Sequence, residues 1–359
     1  MNSISTEELE SLAWLHIDIA RRGKDPSTRS YYQKCYSILS QSEVTNELVD
    51  RSVYFPLYSG LFVLYKNGVI NDGEMSLESL ASGFVKQATI HGDPVHIARA
   101  IAMEGLTMAS LGKYKEALES QEKLQKVYCA KTLSSSICKE YATDRAAQNY
   151  GYSVAWLRLL GREEEAKDQI DFIVNEIMPL MPIKNVHNSA IILFPVIWVL
   201  MDDGKATVAE LLFAEYVCDR FYKYYGKGAK TFFLCTYKPV QVLLRLASIS
   251  QANGSTENTM TENERLEIEN WALSENFYDI KKYISTTMCP YGKEPHCIFA
   301  EICWYLASYR NSTDKTWKKL METGHDLALV SLSNTHGKPG YESAKIRSMN
   351  ILELFRKNI

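Results

Sequence analysis

Three of the chain's eight cysteines and a histidine fall close together in Cys289-Pro-Tyr-Gly-Lys-Glu-Pro-His-Cys297 with Cys303. Thiolate and imidazole are the ligand types that zinc takes, yet this spacing lacks what a zinc site needs. There is no Cys-x2-Cys pair, His296 and Cys297 are adjacent, and Cys303 falls on an apolar helical face. Tyr225-Gly-Lys-Gly-Ala-Lys-Thr231 offers glycine N–H groups and a Lys-Thr pair, the parts of a phosphate-binding loop. Ala229 stands where that pattern requires Gly, and a helix rather than a strand is expected before it. His16, His91, His96, His187, His296, His325 and His336 are dispersed, and neither a Gly-x-Ser-x-Gly elbow nor a His-Glu-x-x-His helix occurs. His91 and His96 flank Asp93-Pro94, the place of an exposed or capping imidazole, and Asp202-Asp203 lies in a turn. No catalytic residue, cofactor or metal is therefore expected. Polar groups on otherwise apolar helices remain: Asp144 with Gln148, and Arg145 with Asn149, are spaced to share helix faces.

The elements that must position these groups are helical hairpins. In Gly105-Leu-Thr-Met-Ala-Ser-Leu-Gly-Lys-Tyr-Lys-Glu-Ala-Leu-Glu119 one helix ends at Gly112 and a second begins at once. Glycine reaches the left-handed conformation that closes a helix without a Cβ clash. Ala117 is small enough to sit where the two helices approach. The same Gly-x4-Ala spacing recurs at Gly161 with Ala166 and at Gly204 with Ala209. The alanines follow one another at 49 and 43 residues, the range of a repeat with long helices or an added loop.

Along the chain, Ser5 and Glu8 form a capping box, and Asp25-Pro26 opens a helix bearing Tyr31, Tyr32, Cys35, Tyr36 and Leu39. A segment over 44–65 is expected to kink at Pro56, and Asp72-Gly73 opens its partner. The spacing then predicts helices over 94–111, 114–131, 138–160, 163–178, 186–202, 205–225 and 231–250. After a polar, aperiodic loop over 251–262, the most mobile stretch and the best place for a sub-domain boundary, come 262–285, 296–309, 313–333 and 340–357. The last carries Ile346, Met349, Leu352 and Phe355 on one face and suits an end cap. Leu12, Trp14, Leu15, Ile17 and Ile19 leave the first helix apolar on more than one side. No stretch alternates at period two between turn signals, so no sheet is expected.

Gly105, Gly112, Tyr114 and Ala117 occupy the small, turn and buried positions of a tetratricopeptide unit, and this part of the chain resembles the tetratricopeptide-like helical repeats. The strict motif covers one unit and a looser form covers 95–225. That resemblance implies an all-α, right-handed α-α superhelix of about seven helix pairs with a C-terminal capping helix, one solenoid over 1–359. It also implies a concave face lined by the first helix of each pair. It places Arg99, Gln148 and Arg158 on that face, with Trp198 one unit on, while Asn188 and Lys238 enter the next two first helices in similar places. The stretch from Tyr141 through Trp156, with Asn185-Val-His-Asn-Ser189, is also similar to repeat-rich regions of large microalgal signalling proteins that carry predicted ATPase, kinase or nucleotide-cyclase parts.

Composition narrows the partners. Forty basic and 43 acidic residues give a net charge of −3 with the signs interspersed, which offers no basic field for nucleic acid and no polybasic membrane patch. The longest apolar run, 190–201, is too short to span a bilayer and contains Pro195. Met1-Asn-Ser-Ile-Ser-Thr-Glu-Glu lacks the cationic start and apolar run of a signal peptide, and singly scattered cysteines fit a reducing compartment, so a cytoplasmic protein is expected. An Arg-plus-amide groove of Arg99, Asp144, Arg145, Gln148, Asn149, Arg158, Asn188, Trp198 and Lys238 can hold an extended peptide by its backbone and carboxylates. The expected function is a non-catalytic peptide-binding scaffold or regulatory module. Alternatives are a small-molecule sensor and an α/α-superhelical enzyme, and the same polar groups can instead stitch adjacent repeats together.

Overall fold

Three turns repeat one set of hydrogen bonds. At the first, Gly112 N–H donates to Ala109 O and Lys113 N–H to Met108 O; at the second, Gly161 to Arg158 O and Arg162 to Leu157 O; at the third, Gly204 to Met201 O and Lys205 to Leu200 O. Both bonds satisfy carbonyls that a helix end leaves open, and they require the residue after the helix to be left-handed. The φ angles of Gly112, Gly161 and Gly204 are 76°, 72° and 73°. Five residues on, Ala117, Ala166 and Ala209 are buried, each closing the first turn of the next helix with a bond to the residue after the glycine. A computed structural model thus carries the hairpin unit read from the sequence in three copies. It describes residues 55, 58–62, 76–141, 143–182, 186–225, 237–252, 260–273, 295–338 and 341–358. The expected N-terminal helices with Trp14 and Tyr31, the loop over 226–231, the centre of the polar loop at 253–259, and Cys289 lie outside the described residues.

Among the described residues every regular element is helical. The helices are α1 (Leu77–His91), α2 (Pro94–Ser110), α3 (Tyr114–Val127), α4 (Ala130–Tyr141), α5 (Arg145–Leu159), α6 (Glu163–Phe172), α7 (Val186–Asp202), α8 (Ala206–Phe213), α9 (Arg220–Tyr225), α10 (Lys238–Gln251), α11 (Glu262–Ala272), α12 (Pro295–Ser308), α13 (Lys315–Thr335) and α14 (Glu342–Asn358). Packing runs mostly between neighbours in sequence: α1 on α2, α2 on α3, α7 on α8, α12 on α13, and α13 on α14. No described helix is long and apolar enough to cross a membrane.

The expected helix over 138–160 is two helices. Asp144 interrupts it: its Oδ1 accepts from Ala147 N–H at 2.9 Å, the bond of an N-cap, so α5 starts afresh at Arg145. The second helices of the later hairpins also depart from plain α-geometry. Ile173–Ile177 and Ala214–Asp219 are π-helical turns, and Met178–Leu180 is a 3-10 turn that ends the segment where Pro179 and Pro182 forbid continuation.

The chain divides into two units, Met1–Asn149 and Tyr150–Ile359, with the division inside α5. In the first, Phe55, Phe84, Ala98, Ala102, Leu106 and Leu124 are almost wholly buried. In the second, the described side chains of α7 up to Met201 are buried, which explains why its sequence shows no polar face. Each such Leu, Ile or Phe stabilises its unit by about 1.5–3 kcal/mol. Gly151 of α5 lies against the Ile192 backbone of α7, so close that a Cβ there would overlap the Ile192 carbonyl oxygen. Leu352 and Phe355 of α14 are buried while Ile346 and Met349, expected on the same face, are half exposed. The apolar stripe is therefore split between packing and solvent.

Candidate functional site

In the first unit the polar residues of α2 and α5 face inward. Arg99 Nη1 donates to Thr143 O at 3.1 Å and Nη2 to Ser59 Oγ at 2.5 Å, with the guanidinium carbon 4.9 Å above the Tyr141 ring. Burial lowers this guanidinium to about 9, and Arg145 adds to the effect, while Tyr141 and Asp144 oppose it. Asp144 Oδ2 accepts from the Tyr128 hydroxyl at 2.7 Å. Burial raises its carboxyl above the usual range, against the pull of the bonds from Ala147, Ser134 and Tyr128 and of Arg99. Arg145 Nη1 donates to Gln148 Oε1 at 2.8 Å, and Asn149 Nδ2 to Gln121 Oε1 of α3 at 2.9 Å. Arg99, Asp144, Gln148 and Asn149 are all buried, and Arg145 is half-buried. These bonds tie α2 to Ser59 and to the turn before α5, Asp144 to Tyr128, and α5 to α3, while the Arg145–Gln148 bond lies within α5.

In the second unit Asn188 is buried, with its Nδ2 3.5 Å from Met181 Sδ. Lys238 is half-buried at the first residue of α10. Arg158 and Trp198 are brought together. They line a cleft of about 440 Å³ whose other walls are Glu301, Trp304 and Tyr305 of α12 and Arg347 of α14. Arg158 is paired with Glu163 and with Asp203, the latter at 3.0 Å. Arg347 Nη2 donates to Trp198 O at 2.8 Å and to Asp202, and Nη1 lies 3.9 Å from Glu301. The Trp198 ring stacks on Phe194 with centroids 6.2 Å apart. Burial, aided by the Glu301 carboxylate, pushes the Tyr305 phenol up to about 12, so it stays protonated and can donate.

No protein-family model and no curated protein matches this chain. The cleft's chemistry stands on its own geometry. It combines the half-buried Trp304 and Tyr305, with the buried Trp198 also in its wall, and two arginines whose carboxylate partners hold them in place, and its rim carries the exposed Ile346 and Leu354 of α14. Apolar side chains share the wall with the charged Arg158, Glu163, Asp202, Glu301 and Arg347 and with Asn350, so the cleft can hold a group that is part apolar and part polar. Of the residues read from the sequence, Arg158 and Trp198 line this cleft; Glu301, Trp304, Tyr305 and Arg347, which line it with them, were not singled out there. Nothing local in α12 or α14 marks those residues as neighbours of α5 and α7.

Proposed function

We propose that this chain is a non-catalytic recognition module built of tetratricopeptide-like hairpins, and that it takes a short peptide segment of a partner protein at the Arg158–Trp198–Trp304–Arg347 cleft. The single observation carrying this reading is that α5, α7, α12 and α14 all contribute walls to one cleft whose apolar rim is open to solvent. An apolar or aromatic side chain of the peptide packs against Trp304, Ile346 and Leu354, as anchor residues do at protein interfaces. The flanking peptide backbone bonds to Arg158 and Tyr305. The polar residues of α2 and early α5 hold the first unit together in this reading, and the ligand face is displaced towards the C-terminal helices. The cleft's volume also lies within the range of small-molecule pockets, so a sensor of a small aromatic ligand is the second reading.

Selection of a random peptide library on the purified chain tests both. Peptides sharing an apolar anchor, with affinity lowered at least about tenfold by Ile346→Asp at the rim, are expected; a tenfold change is about 1.4 kcal/mol. Failure to enrich any peptide, or enriched peptides that bind Ile346→Asp and Arg158→Ala as well as the wild type, overturns the peptide reading. An aromatic fragment library bound at the same residues would then favour the sensor.

A further inference from the structure

His91, Asp93 and His96 lie at the corner between α1 and α2, where the sequence leads one to expect exposed or capping imidazoles. Instead they converge. One ligand-capable atom from each lies within 4.8 Å of those of the other two. Gly92, left-handed at φ 83°, closes α1 and turns the chain so that His91 and Asp93 face one another across it. Asp93 is the N-cap of α2, its Oδ1 accepting from Val95 N–H at 2.8 Å, which leaves Oδ2 for a cation. His96 is buried, with Nδ1 2.5 Å from the Tyr141 hydroxyl. Phe55 stacks on the His96 ring at 4.0 Å and meets the His91 ring edge-on at 5.2 Å, walling both rings with carbon. His91 Nδ1 is covered from solvent and has no hydrogen-bond partner among the described residues. A buried ring nitrogen left without a partner is costly unless something else meets it.

We propose that His91, Asp93 and His96 form a three-ligand site for a divalent transition-metal ion of the zinc class, with the remaining coordination position open to water. Two imidazoles and a carboxylate are the donor set such ions take. Four-coordinate zinc asks for ligand atoms about 3.4 Å apart, so the three side chains draw together when the ion binds. Ligation through His96 Nε2 places the ring proton on Nδ1, and the Tyr141 oxygen accepts it, the outer bond that fixes tautomer and ring orientation. The ion pins α1 to α2 and, through Tyr141, to the end of α4. It is a clip within the first unit, separate from the cleft.

The test uses the full chain without a histidine tag, stripped with a chelator and titrated with Zn²⁺ against a chromophoric competitor, then with Co²⁺. One equivalent of zinc is expected, with a visible cobalt spectrum of nitrogen and oxygen ligands. Asp93→Asn keeps the helix cap, since Asn caps as well as Asp, so a normal circular dichroism spectrum with lost binding isolates the ligand role. His91→Gln is expected to lose binding likewise. Tyr141→Phe keeps the ligands and removes only the outer bond, and is expected to weaken zinc by about 10–100-fold. Retention of no zinc by the wild type overturns the proposal. So does binding unchanged in Asp93→Asn and His91→Gln, or a thiolate-to-cobalt band in the near ultraviolet, which would put the ion on cysteines.

Discussion

Replacing Gly151 by alanine sets two opposing effects against each other. A glycine in a helix interior costs about 0.5–1 kcal/mol relative to alanine, so Gly151→Ala on an isolated α5 would stabilise it by that amount. In the folded chain the new Cβ would overlap the Ile192 carbonyl oxygen and lie 3.0 Å from both the Ile192 carbonyl carbon and Cα. Carbon atoms in contact prefer about 3.5–4.0 Å, and the obstacle is backbone, which no rotamer change clears. Relief requires α5 and α7 to separate along their contact. Overpacking of this kind costs about 1–3 kcal/mol, and a backbone obstacle puts it at the upper end. The net expectation is destabilisation by about 2 kcal/mol, which lowers the midpoint of thermal unfolding by about 4–8 °C for a unit of this size. Circular dichroism at 222 nm on heating, with urea unfolding in parallel, measures it. Ile192→Ala in the same chain should not restore stability, because the side chain is not what blocks the Cβ. A Gly151→Ala protein as stable as the wild type, or more so, would refute the close approach of the second and third hairpins.

Arg310→Ala should cost about 3 kcal/mol or more, because both its Nε and Nη2 donate to the carboxylate of Glu269, which is 3% exposed and would be left buried with weaker compensation. Urea unfolding measures the loss, and a change below about 1 kcal/mol would mean that Arg265, whose Nη1 lies 3.6 Å from Glu269 Oε1, suffices as partner. Asp144 gives a pH dependence of known sign. Its folded pKa is raised above the unfolded value of 3.8, so its contribution favours the fold in acid and is lost as pH rises through the folded pKa. The stability of the wild type relative to Asp144→Asn, which keeps the cap, should fall as pH rises from the unfolded value of 3.8. A difference that rises with pH would contradict a buried carboxyl there.

The hairpins were legible in the sequence because they depend on short-range chemistry. A left-handed glycine and an alanine five residues on need only their own turn, and Gly112, Gly161 and Gly204 close their helices by identical bonds. The absence of period-two alternation likewise foretold that the described elements would all be helical. Inner and outer faces were not legible. The repeat motif placed Arg99 and Gln148 on the groove and helical spacing added Asp144 and Asn149, yet all four are buried, and Arg99, Asp144 and Asn149 bond to Ser59, Tyr128 and Gln121 on other segments. The cleft is less legible still, since Arg347 reaches the Trp198 carbonyl from 149 positions away. The same holds for the corner at Asp93: its three residues lie close in sequence, but Phe55 and Tyr141, which wall and orient the imidazoles, arrive from distant helices. Helix periodicity and turn chemistry are properties of a few neighbouring residues, whereas burial and the meeting of polar side chains are set by which helix packs on which.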